Sequence, residues 1–295
     1  MSPTGTWNRA GVILFGSPGG LQRISASGGG ATLLTLVDSA KQESGHGYPQ
    51  FLPDGNRFLY FVDSVDPNVR GVYASSLGDP EQRQLIVRTS AKAVYVPRRA
   101  AYPGYLLCMQ DQTLLAHFAA DSLRLEGDPV SVAQNISLNP NALVRAAFLG
   151  LRCGLLTYFA VLASLKQPII WMSRDGKLLG EVASEGYFHD LALAPGAQRM
   201  AVTITSPGSR REWNISTREF ARRVTTRLTF GSNEDTLPVW SPAGKQVAFS
   251  SNREGGMFQI FRKDASGAGQ EERLTEGRTE NWSWTGARTA STSSI

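Results

Sequence analysis

The side chains best suited to catalysis or metal binding are few and far apart in this sequence. Its three histidines are His46, His117 and His189, and their positions do not match the ligand spacing of a metal site. Asp190 follows His189 and could orient its imidazole as a base, but no nucleophilic motif accompanies the pair. We therefore predict no catalytic residue, no cofactor site and no metal site, and the sequence assigns no partner-binding residue.

Motifs of known enzyme classes are also missing from the sequence. It has no glycine-rich loop followed by a strand lysine, no His-Arg-Asp loop and no Asp-Phe-Gly, which excludes a protein kinase domain in this chain. It has no Gly-x-Ser-x-Gly elbow of a serine hydrolase either. The glycine run 28–30 is not followed by a helical pattern, which favours a hairpin turn over a phosphate-binding loop. Residues 173–176 are similar to the Asp-box turn of sialidases, but their spacing favours a plain hairpin turn.

The composition indicates a folded and mildly basic protein. The 295 residues carry 30 Lys and Arg against 25 Asp and Glu, and 41% of them are hydrophobic, enough for a core. The one dense basic cluster consists of Arg210, Arg211, Arg218, Arg222, Arg223 and Arg227. This cluster is either a solvated loop or a surface for an anionic partner or membrane. Nothing in the sequence supports nucleic-acid binding, because no fold motif or interleaved aromatic residues accompany the cluster.

The two cysteines and the apolar segments set further limits. Cys108 and Cys153 are too few to hold a chain of this size together, and we expect buried free thiols, although a bridge between them stays open. The first residues lack the basic and apolar regions of a secretory signal. Residues 142–165 are long enough for a membrane span, but a mid-bilayer arginine such as Arg145 or Arg152 costs about 2.5–3.5 kcal/mol. We therefore expect buried strands there.

A unit of about 45 residues recurs along the chain. Its clearest copy is 238–251, with others at 49–61 and 191–203, and an aromatic residue or leucine precedes the turn in each. These marker residues are Trp7, Phe51, Leu193, Trp240 and Trp284, with Tyr95 and Phe148 filling the long gap. The predicted repeats span 7–50, 51–94, 95–147, 148–192, 193–239 and 240–283, with a partial unit at 284–295.

Each unit predicts four short antiparallel strands. After the marker residue, a Pro-x-Gly turn reverses the chain, since Pro presets φ near −65° and Gly accepts positive φ. Apolar and alternating runs follow at intervals of about ten residues with turn signals between them. Such a unit cannot bury both faces of its sheet alone, but neighbours packed around an axis can. The sequence therefore predicts one all-β domain, a β-propeller of four-stranded antiparallel blades, with about six blades.

Two motifs make the chain resemble a known family. The runs 227–230 and 273–275, each followed by a polar linker and then Trp-Ser-Pro-x-Gly or a remnant of it, resemble the TolB-type, WD-like β-propeller repeats of bacteria. Residues 166–180 and 269–272 are similar to the propellers that follow a transmembrane helix in bacterial serine/threonine protein kinases.

The chain departs from the family pattern in several places. Ala10 and Ala243 stand where the family has Asp. The polar stretch 210–218 stands where a regular strand is expected, and the polar tail 287–295 stands where an apolar strand should follow the turn. These departures suggest an incomplete or frame-damaged copy, which resequencing the gene would test, and they leave the completeness of the last blade open.

The resemblance implies a non-catalytic binding or sensor module. It would bind a protein or a small ligand on its loops or in its channel, as the extracytoplasmic part of a bacterial serine/threonine kinase. The alternatives are a TolB-like periplasmic scaffold, or the propeller of a prolyl-oligopeptidase-like hydrolase whose catalytic domain is absent. All three imply no cofactor, and the first two imply a periplasmic or extracytoplasmic location, with membrane contact only through a segment outside this chain.

Overall fold

A computed structural model assigns most of the residues that it describes to β-strands. The described residues are 5–98, 104–110, 113–119, 123–133, 148–152, 155–158, 167–172, 178–205, 212–254, 256 and 258–275. They contain one short 3-10 turn, Ser39–Lys41, and otherwise strands joined by turns and loops.

The strands form six four-stranded sheets, of which three lie in the first half of the chain. Sheet 1 contains β1 (Gly5–Trp7), β2 (Val12–Ser17), β3 (Gly20–Ser25) and β4 (Thr32–Leu33). Sheet 2 contains β5 (Glu43–Phe51), β6 (Arg57–Ser64), β7 (Gly71–Ser76) and β8 (Gln84–Val87). Sheet 3 contains β9 (Val94–Val96), β10 (Tyr105–Gln110), β11 (Thr113–Ala119) and β12 (Leu125–Ala133).

The other three sheets repeat the same plan. Sheet 4 contains β13 (Phe148–Arg152), β14 (Leu155–Tyr158), β15 (Gln167–Met172) and β16 (Leu178–Gly186). Sheet 5 contains β17 (Phe188–Leu193), β18 (Arg199–Thr205), β19 (Trp213–Glu219) and β20 (Val224–Arg227). Sheet 6 contains β21 (Asp235–Trp240), β22 (Gln246–Ser251), β23 (Gln259–Asp264) and β24 (Glu272–Arg273).

The sheets are arranged as a β-propeller, which confirms the predicted fold class. Each sheet is an antiparallel meander in chain order, and its first strand lies against the neighbouring sheets. The ring closes between sheets 1 and 6, where β1 lies beside β21 and Arg262 donates a hydrogen bond to the Ala26 carbonyl. Six sheets among the described residues agree with the expectation of about six blades.

The marker residues of the repeat end the first strand of their sheets. Trp7, Phe51, Leu193 and Trp240 are the last residues of β1, β5, β17 and β21. The repeat and the sheet are therefore offset by one strand, because a repeat counted from the marker begins after the first strand. The weaker marker Tyr95 lies within β9, Phe148 begins β13, and Trp284 lies outside the described residues.

The Pro-x-Gly turn has the same backbone hydrogen bond in three sheets. The amides of Gly55, Ala197 and Gly244 donate to the carbonyls three residues earlier. Gly55 and Gly244 have φ of 72° and 69°, the left-handed region that glycine adopts without steric cost. Ala197 occupies the same turn position with φ of 53°, so this turn forms even where glycine is missing.

A Leu-Thr pair closes three of the sheets behind their last strand. Leu34, Leu228 and Leu274 are buried, and so are the threonines that follow them. The hydroxyl oxygens of Thr35, Thr229 and Thr275 accept hydrogen bonds from the amides of Leu21, Ile215 and Ile260, at 2.9, 2.9 and 3.3 Å. The pair therefore fixes each outgoing chain to the start of the third strand of its own sheet.

Neighbouring sheets are joined by apolar packing and by polar contacts between equivalent positions. Phe58 and Tyr60 of sheet 2 pack against Leu14 of sheet 1, and Trp240 and Phe249 of sheet 6 pack in one cluster with residues of sheet 5. The side-chain amides of Asn8 and Gln50 bond the carbonyls of Gly55 and Tyr95 at 2.7 and 2.9 Å. Arg199 and Trp240 likewise bond Gly244 and Ala192 at 2.7 and 2.9 Å. Each of these bonds joins residues 45 to 48 apart, which is one repeat.

One expectation about departures from the repeat needs correction, and another lies outside the described residues. The stretch that includes 213–218 is a regular strand, because β19 pairs with β18 over seven consecutive positions. Its polar side chains were misleading, since Asn214, Ser216 and Thr217 are buried between sheets rather than exposed in a loop. Sheet 6 has all four strands, and the tail 287–295 lies outside the described residues.

The segment considered as a membrane span contributes strands where it is described. β13 and β14 lie within 142–165 and pair with each other. Within the described part of the chain, no helix is both long and apolar enough to span a bilayer.

Candidate functional site

The meander gives the propeller two ends of different character. At one end, tight turns join the first strand to the second, and other turns join the third to the fourth. At the opposite end lie the connections between second and third strands and those between successive sheets. We call this second end the loop end; its described connections include 18–19, 34–42, 65–70, 88–93 and 228–234.

Three large apolar side chains are exposed in connections of the loop end. Leu36, Val65 and Phe230 are 72%, 73% and 61% exposed. The other exposed large hydrophobic residues of the described chain lie within strands. Exposed apolar side chains on connecting loops are a feature of binding surfaces, because the loops carry recognition while the sheets supply rigidity.

An aromatic cluster lies at the loop end of sheet 5. The His189 ring stacks on the Trp213 ring with their centroids 4.5 Å apart and their planes 12° apart. His189 Nε2 lies 3.2 Å from the Thr205 hydroxyl. Trp213 begins β19 and Thr205 ends β18, and the two residues are partners in the strand register. Both rings are half-buried, so one part of each is held by the sheet and another part faces outward.

The backbone around Trp213 is tied to the connection that leads to sheet 6. The Trp213 amide donates to the Asn233 carbonyl at 3.1 Å, and Trp213 forms a parallel bridge with Glu234. The Glu234 amide donates in turn to the Asn252 side chain at 2.9 Å. The exposed Phe230 belongs to this same connection. It lies three residues before Asn233, which bonds the Trp213 backbone.

His189 and Asp190, the pair considered from the sequence as a base and its orienting group, contact different partners in the structure. The buried Asp190 carboxylate accepts a 2.6 Å hydrogen bond from the Thr236 hydroxyl of sheet 6, whereas the His189 ring contacts Trp213 and Thr205. A bulge in β17 between Phe188 and Leu191 turns the two side chains to different partners. Asp190 joins two sheets, and His189 belongs to the aromatic cluster.

A second cluster of titratable groups, centred on the buried Glu43 and His46, lies between sheets 1 and 2. The Glu43 carboxylate accepts hydrogen bonds from the Arg83 guanidinium at 2.5 Å and from His46 Nε2 at 3.0 Å. His46 Nδ1 lies 2.7 Å from the Thr35 hydroxyl, whose oxygen accepts the Leu21 amide. These bonds indicate that the His46 ring is neutral. Its Nε2 donates to Glu43, and its Nδ1 accepts the hydroxyl proton of Thr35.

The electrostatics of this cluster agree with a structural role. Burial lowers the pKa of His46 below its ordinary value, although Glu43 acts in the opposite direction. Burial raises the pKa of Glu43, but hydrogen bonds from Arg83, the Asp38 backbone and His46 outweigh it and leave that pKa lowered. Burial also raises the pKa of Tyr60, whose ring packs against His46, to about 12. The charges satisfy one another, so the cluster holds the two sheets together.

A third cluster lies in sheet 6 and is also structural. Arg253 donates two 3.0 Å hydrogen bonds to the buried Asp235 carboxylate. Its guanidinium lies over the rings of Phe249 and Phe261, 5.6 and 4.8 Å from their centroids. Asp235 begins the first strand, so the pair fixes the entry of the chain into the sheet.

The remaining predicted residues lie apart from one another. His117 is in β11, and burial lowers its pKa. Cys108 is a buried free thiol, and burial raises its pKa to about 11. The glycine run 28–30 lies in the turn between β3 and β4, as predicted. Cys153, the 173–176 turn, Arg210 and Arg211 lie outside the described residues. Over the described ranges, no three His, Cys, Asp or Glu side chains are grouped as metal ligands would be.

Comparison with known proteins supports the β-propeller fold of this chain. No protein-family model and no curated protein matches the sequence. Among solved structures, TolB from Acinetobacter baumannii matches with a TM-score of 0.59 at 12% identity, over 92% of this chain and 64% of that one. The fold is a TolB-like β-propeller.

Propellers of enzymes also match this chain. A puromycin-hydrolysing peptidase of Mycobacterium tuberculosis has a TM-score of 0.54 at 13% identity, over 93% of this chain and 45% of that one. An oligogalacturonate lyase in complex with manganese has a TM-score of 0.55 at 10% identity, over 88% of this chain and 76% of that one. This chain thus spans less than two thirds of the TolB structure and under half of the peptidase. At these identities the likeness establishes the fold alone.

Sequence reasoning missed Trp213 and Phe230 as surface residues. Trp213 follows Arg210 and Arg211 in a stretch that its charge assigned to a loop, and the burial of four consecutive residues in β19 is masked by the polarity of three of them. Phe230 follows the Leu-Thr pair, where its apolar character indicates burial although the side chain is exposed. The tryptophan and isoleucine within this polar stretch, Trp213 and Ile215, were the available signal.

Proposed function

We propose that this chain is a non-catalytic binding module that holds a protein partner at its loop end, centred on sheet 5. The observation that carries the proposal is the stacked, half-buried pair His189 and Trp213, whose backbone is tied at Asn233 to the connection that carries the exposed Phe230. Aromatic side chains held rigidly and partly exposed supply much of the energy of protein interfaces. The TolB-like fold supports this proposal, since such a propeller works as a scaffold.

The titratable groups support a binding role over a catalytic one. The carboxylates of Glu43 and Asp235 are buried and saturated by their own partners. A catalytic group needs access to a substrate, which these groups lack. These charged groups therefore have a structural role, which supports a non-catalytic function.

Site-specific photo-crosslinking tests the binding proposal. A benzophenone amino acid would replace Phe230 at the loop end and, as a matched control, Leu179, which is 57% exposed at the opposite end. We expect one covalent adduct from position 230 in the producing cells, and its loss when Trp213→Ala is added. Adducts from position 179 alone, or none from position 230, would contradict the proposal.

The finer proposal is that the module is the extracytoplasmic sensor of a bacterial serine/threonine kinase. It is supported by the similarity of residues 166–180 and 269–272 to kinase-associated propellers. The coding sequence ahead of Met1 tests it, and we expect a kinase domain followed by a transmembrane helix. A secretory signal there would instead favour a TolB-like periplasmic scaffold.

A hydrolase propeller is the second candidate, favoured by the match to the mycobacterial peptidase. That reading requires a domain with a Gly-x-Ser-x-Gly elbow in the coding sequence after Ile295. Phosphoryl transfer or hydrolysis by this chain alone would overturn the non-catalytic assignment.

A further inference from the structure

The outermost strand of sheet 5 differs from the other outer strands in its charge. All four residues of β20 are exposed, and β20 pairs with β19 on one side only. The sheet order leaves the other side of its backbone facing outward at the rim of the propeller. An outward strand edge carries amide and carbonyl groups that can pair with an added strand.

Arginines surround this edge. We define the basic edge as β20 together with Arg218, Arg222 and Arg223. Arg218 donates to the Thr225 hydroxyl at 2.8 Å, and Arg227 donates to the Thr229 carbonyl at 2.8 Å. These bonds hold two guanidinium groups along the strand without neutralising their charge.

Few carboxylates balance the basic edge. The one ion pair there within the described chain joins Arg222 to Glu219 at 3.4 Å, between side chains 77% and 37% exposed. Such an exposed pair is weak. The outer strand of sheet 6 shows the contrast, because Glu272 pairs with Arg262 at 2.7 Å and Arg273 pairs with Glu254 at 2.6 Å.

Apolar side chains flank the same edge. Val224 at its start is 50% exposed, and Phe230 just beyond its end is 61% exposed. The Arg227 guanidinium lies 5.1 Å from the centre of the Phe230 ring, which orients both groups at the surface. The edge thus offers backbone pairing, positive charge and an apolar contact within one strand length, about 13 Å for four residues.

We propose that the basic edge binds an extended acidic segment of a partner protein as a fifth strand of sheet 5. This proposal rests on the binding function proposed above and adds the chemistry of the partner. Main-chain hydrogen bonds to β20 would supply affinity, and acidic side chains facing the arginines would supply selectivity. A second copy of this chain does not fit edge to edge, since it would place two sets of arginines against each other.

A labelled ten-residue peptide of alternating glutamate and valine tests the proposal by fluorescence anisotropy with the full chain. We expect saturable binding of this peptide and none of its lysine counterpart. Backbone pairing predicts that a version methylated on every backbone amide loses binding, because neither of its edges can complete the strand ladder. Equal binding of the methylated peptide would overturn the fifth-strand geometry.

Charge-reversal variants locate the site. Arg222→Glu with Arg223→Glu should weaken peptide binding by about tenfold or more, since close charge pairs dominate such recognition. Arg9→Glu with Arg23→Glu on sheet 1 changes the net charge equally and should leave affinity within about twofold. Both pairs are exposed, and circular dichroism would verify that each variant is folded. Equal loss in the two variants would overturn the assignment to sheet 5.

Competition by other polyanions tests whether the basic edge is specific for a peptide. Vesicles containing anionic lipid and a single-stranded oligonucleotide would be added as competitors, and displacement of the peptide by either at equal charge concentration would overturn a peptide-specific edge. Failure of the peptide while position 230 still crosslinks a partner would reject the basic edge alone. Failure of both would reject the binding function.

Discussion

At the scale of single residues, burial decides what an ion pair contributes. Asp235 is 1% exposed and is held by Arg253, whereas Asp54 and Arg57 form a pair in which both side chains are more than a third exposed. Removing one partner of a buried pair leaves an uncompensated charge and costs about 3–5 kcal/mol. An exposed pair contributes at most about 1 kcal/mol because water screens it.

The same substitution at the two arginines therefore has unequal effects. Arg253→Met should lower the free energy of unfolding by about 3–5 kcal/mol, and Arg57→Met by less than about 1 kcal/mol. Urea denaturation followed by tryptophan fluorescence measures both values. Similar losses in the two variants would contradict the structural role assigned to Asp235 and Arg253.

The buried His46 makes stability depend on pH. Burial lowers the pKa of His46 in the folded state, so the unfolded chain takes up a proton first as the pH falls below about 6.5. Stability should fall between pH 7.5 and 5.5 by at most about 1.4 kcal/mol per pH unit. The charged and titratable groups facing the ring are Glu43, Arg83 and Tyr60; the lowered pKa of Glu43 places its own titration below this window.

Urea denaturation at several pH values tests this dependence. His46→Gln keeps a donor towards Glu43 and an acceptor towards Thr35 but does not titrate, so its stability should vary less with pH than that of the native chain. His117, whose pKa burial also lowers, stays in both proteins and contributes to the remaining slope. An unchanged slope in His46→Gln would show that His46 is not protonated on unfolding.

At the scale of elements, the turn between β17 and β18 holds an alanine in a strained backbone conformation that glycine would adopt without strain. Ala197 adopts φ of 53° where the equivalent turns have Gly55 and Gly244. A left-handed conformation costs a residue with a Cβ about 1–2 kcal/mol, and the greater freedom of glycine in the unfolded chain offsets part of that. Ala197→Gly should therefore stabilise the protein by about 0.5–1 kcal/mol.

The reciprocal substitution provides the control for this turn. Gly244→Ala introduces the same conformation in sheet 6, with the new Cβ in ordinary contact with Pro195 at 3.5 Å. It should destabilise by a similar amount, measured as the shift in the midpoint of thermal unfolding. A loss of stability on Ala197→Gly would show that the alanine methyl group contributes more than the strain costs.

The Leu-Thr pair predicts a second element-scale effect. Thr229→Val keeps the shape of the side chain but removes the acceptor of the Ile215 amide, which leaves a buried donor unpaired. The expected loss is about 1–3 kcal/mol. Thr225→Val changes an exposed residue of the same sheet and should cost less than about 0.5 kcal/mol. Equal losses in denaturant unfolding would reject the closing role of the pair.

The sequence predicts those parts of an element that depend on residues nearby in the chain. The turn residues and marker aromatics, such as Gly55, Gly244 and Trp240, act within a few residues of themselves, so the strand ends near them could be read directly. β19 was missed because its buried positions carry Asn, Ser and Thr, whose burial depends on a neighbouring sheet rather than on local pattern. Ala197 shows the converse, a turn kept by its surroundings without its usual glycine.

At the scale of the whole molecule, the repeat predicts the architecture but not the surface. A period near 45 residues implies that equivalent positions face each other in neighbouring sheets, and the bond between Asp190 and Thr236 is one consequence. The candidate site depends instead on which side chains are left outside this packing. Phe230 and the arginines of the basic edge are defined by such exposure, which no periodic pattern in one sequence reports.

The central claim is that the sheets form a closed ring, and a crosslink between sheets 1 and 6 tests it most directly. In a chain with both native cysteines replaced by alanine, cysteines at Ala26 and Arg262 lie together although 236 residues separate them. A short bismaleimide should join them within one molecule at low protein concentration, giving faster migration of the denatured monomer, and 8 M urea should abolish the reaction. Absence of this intramolecular product from the folded, monomeric chain would contradict the ring.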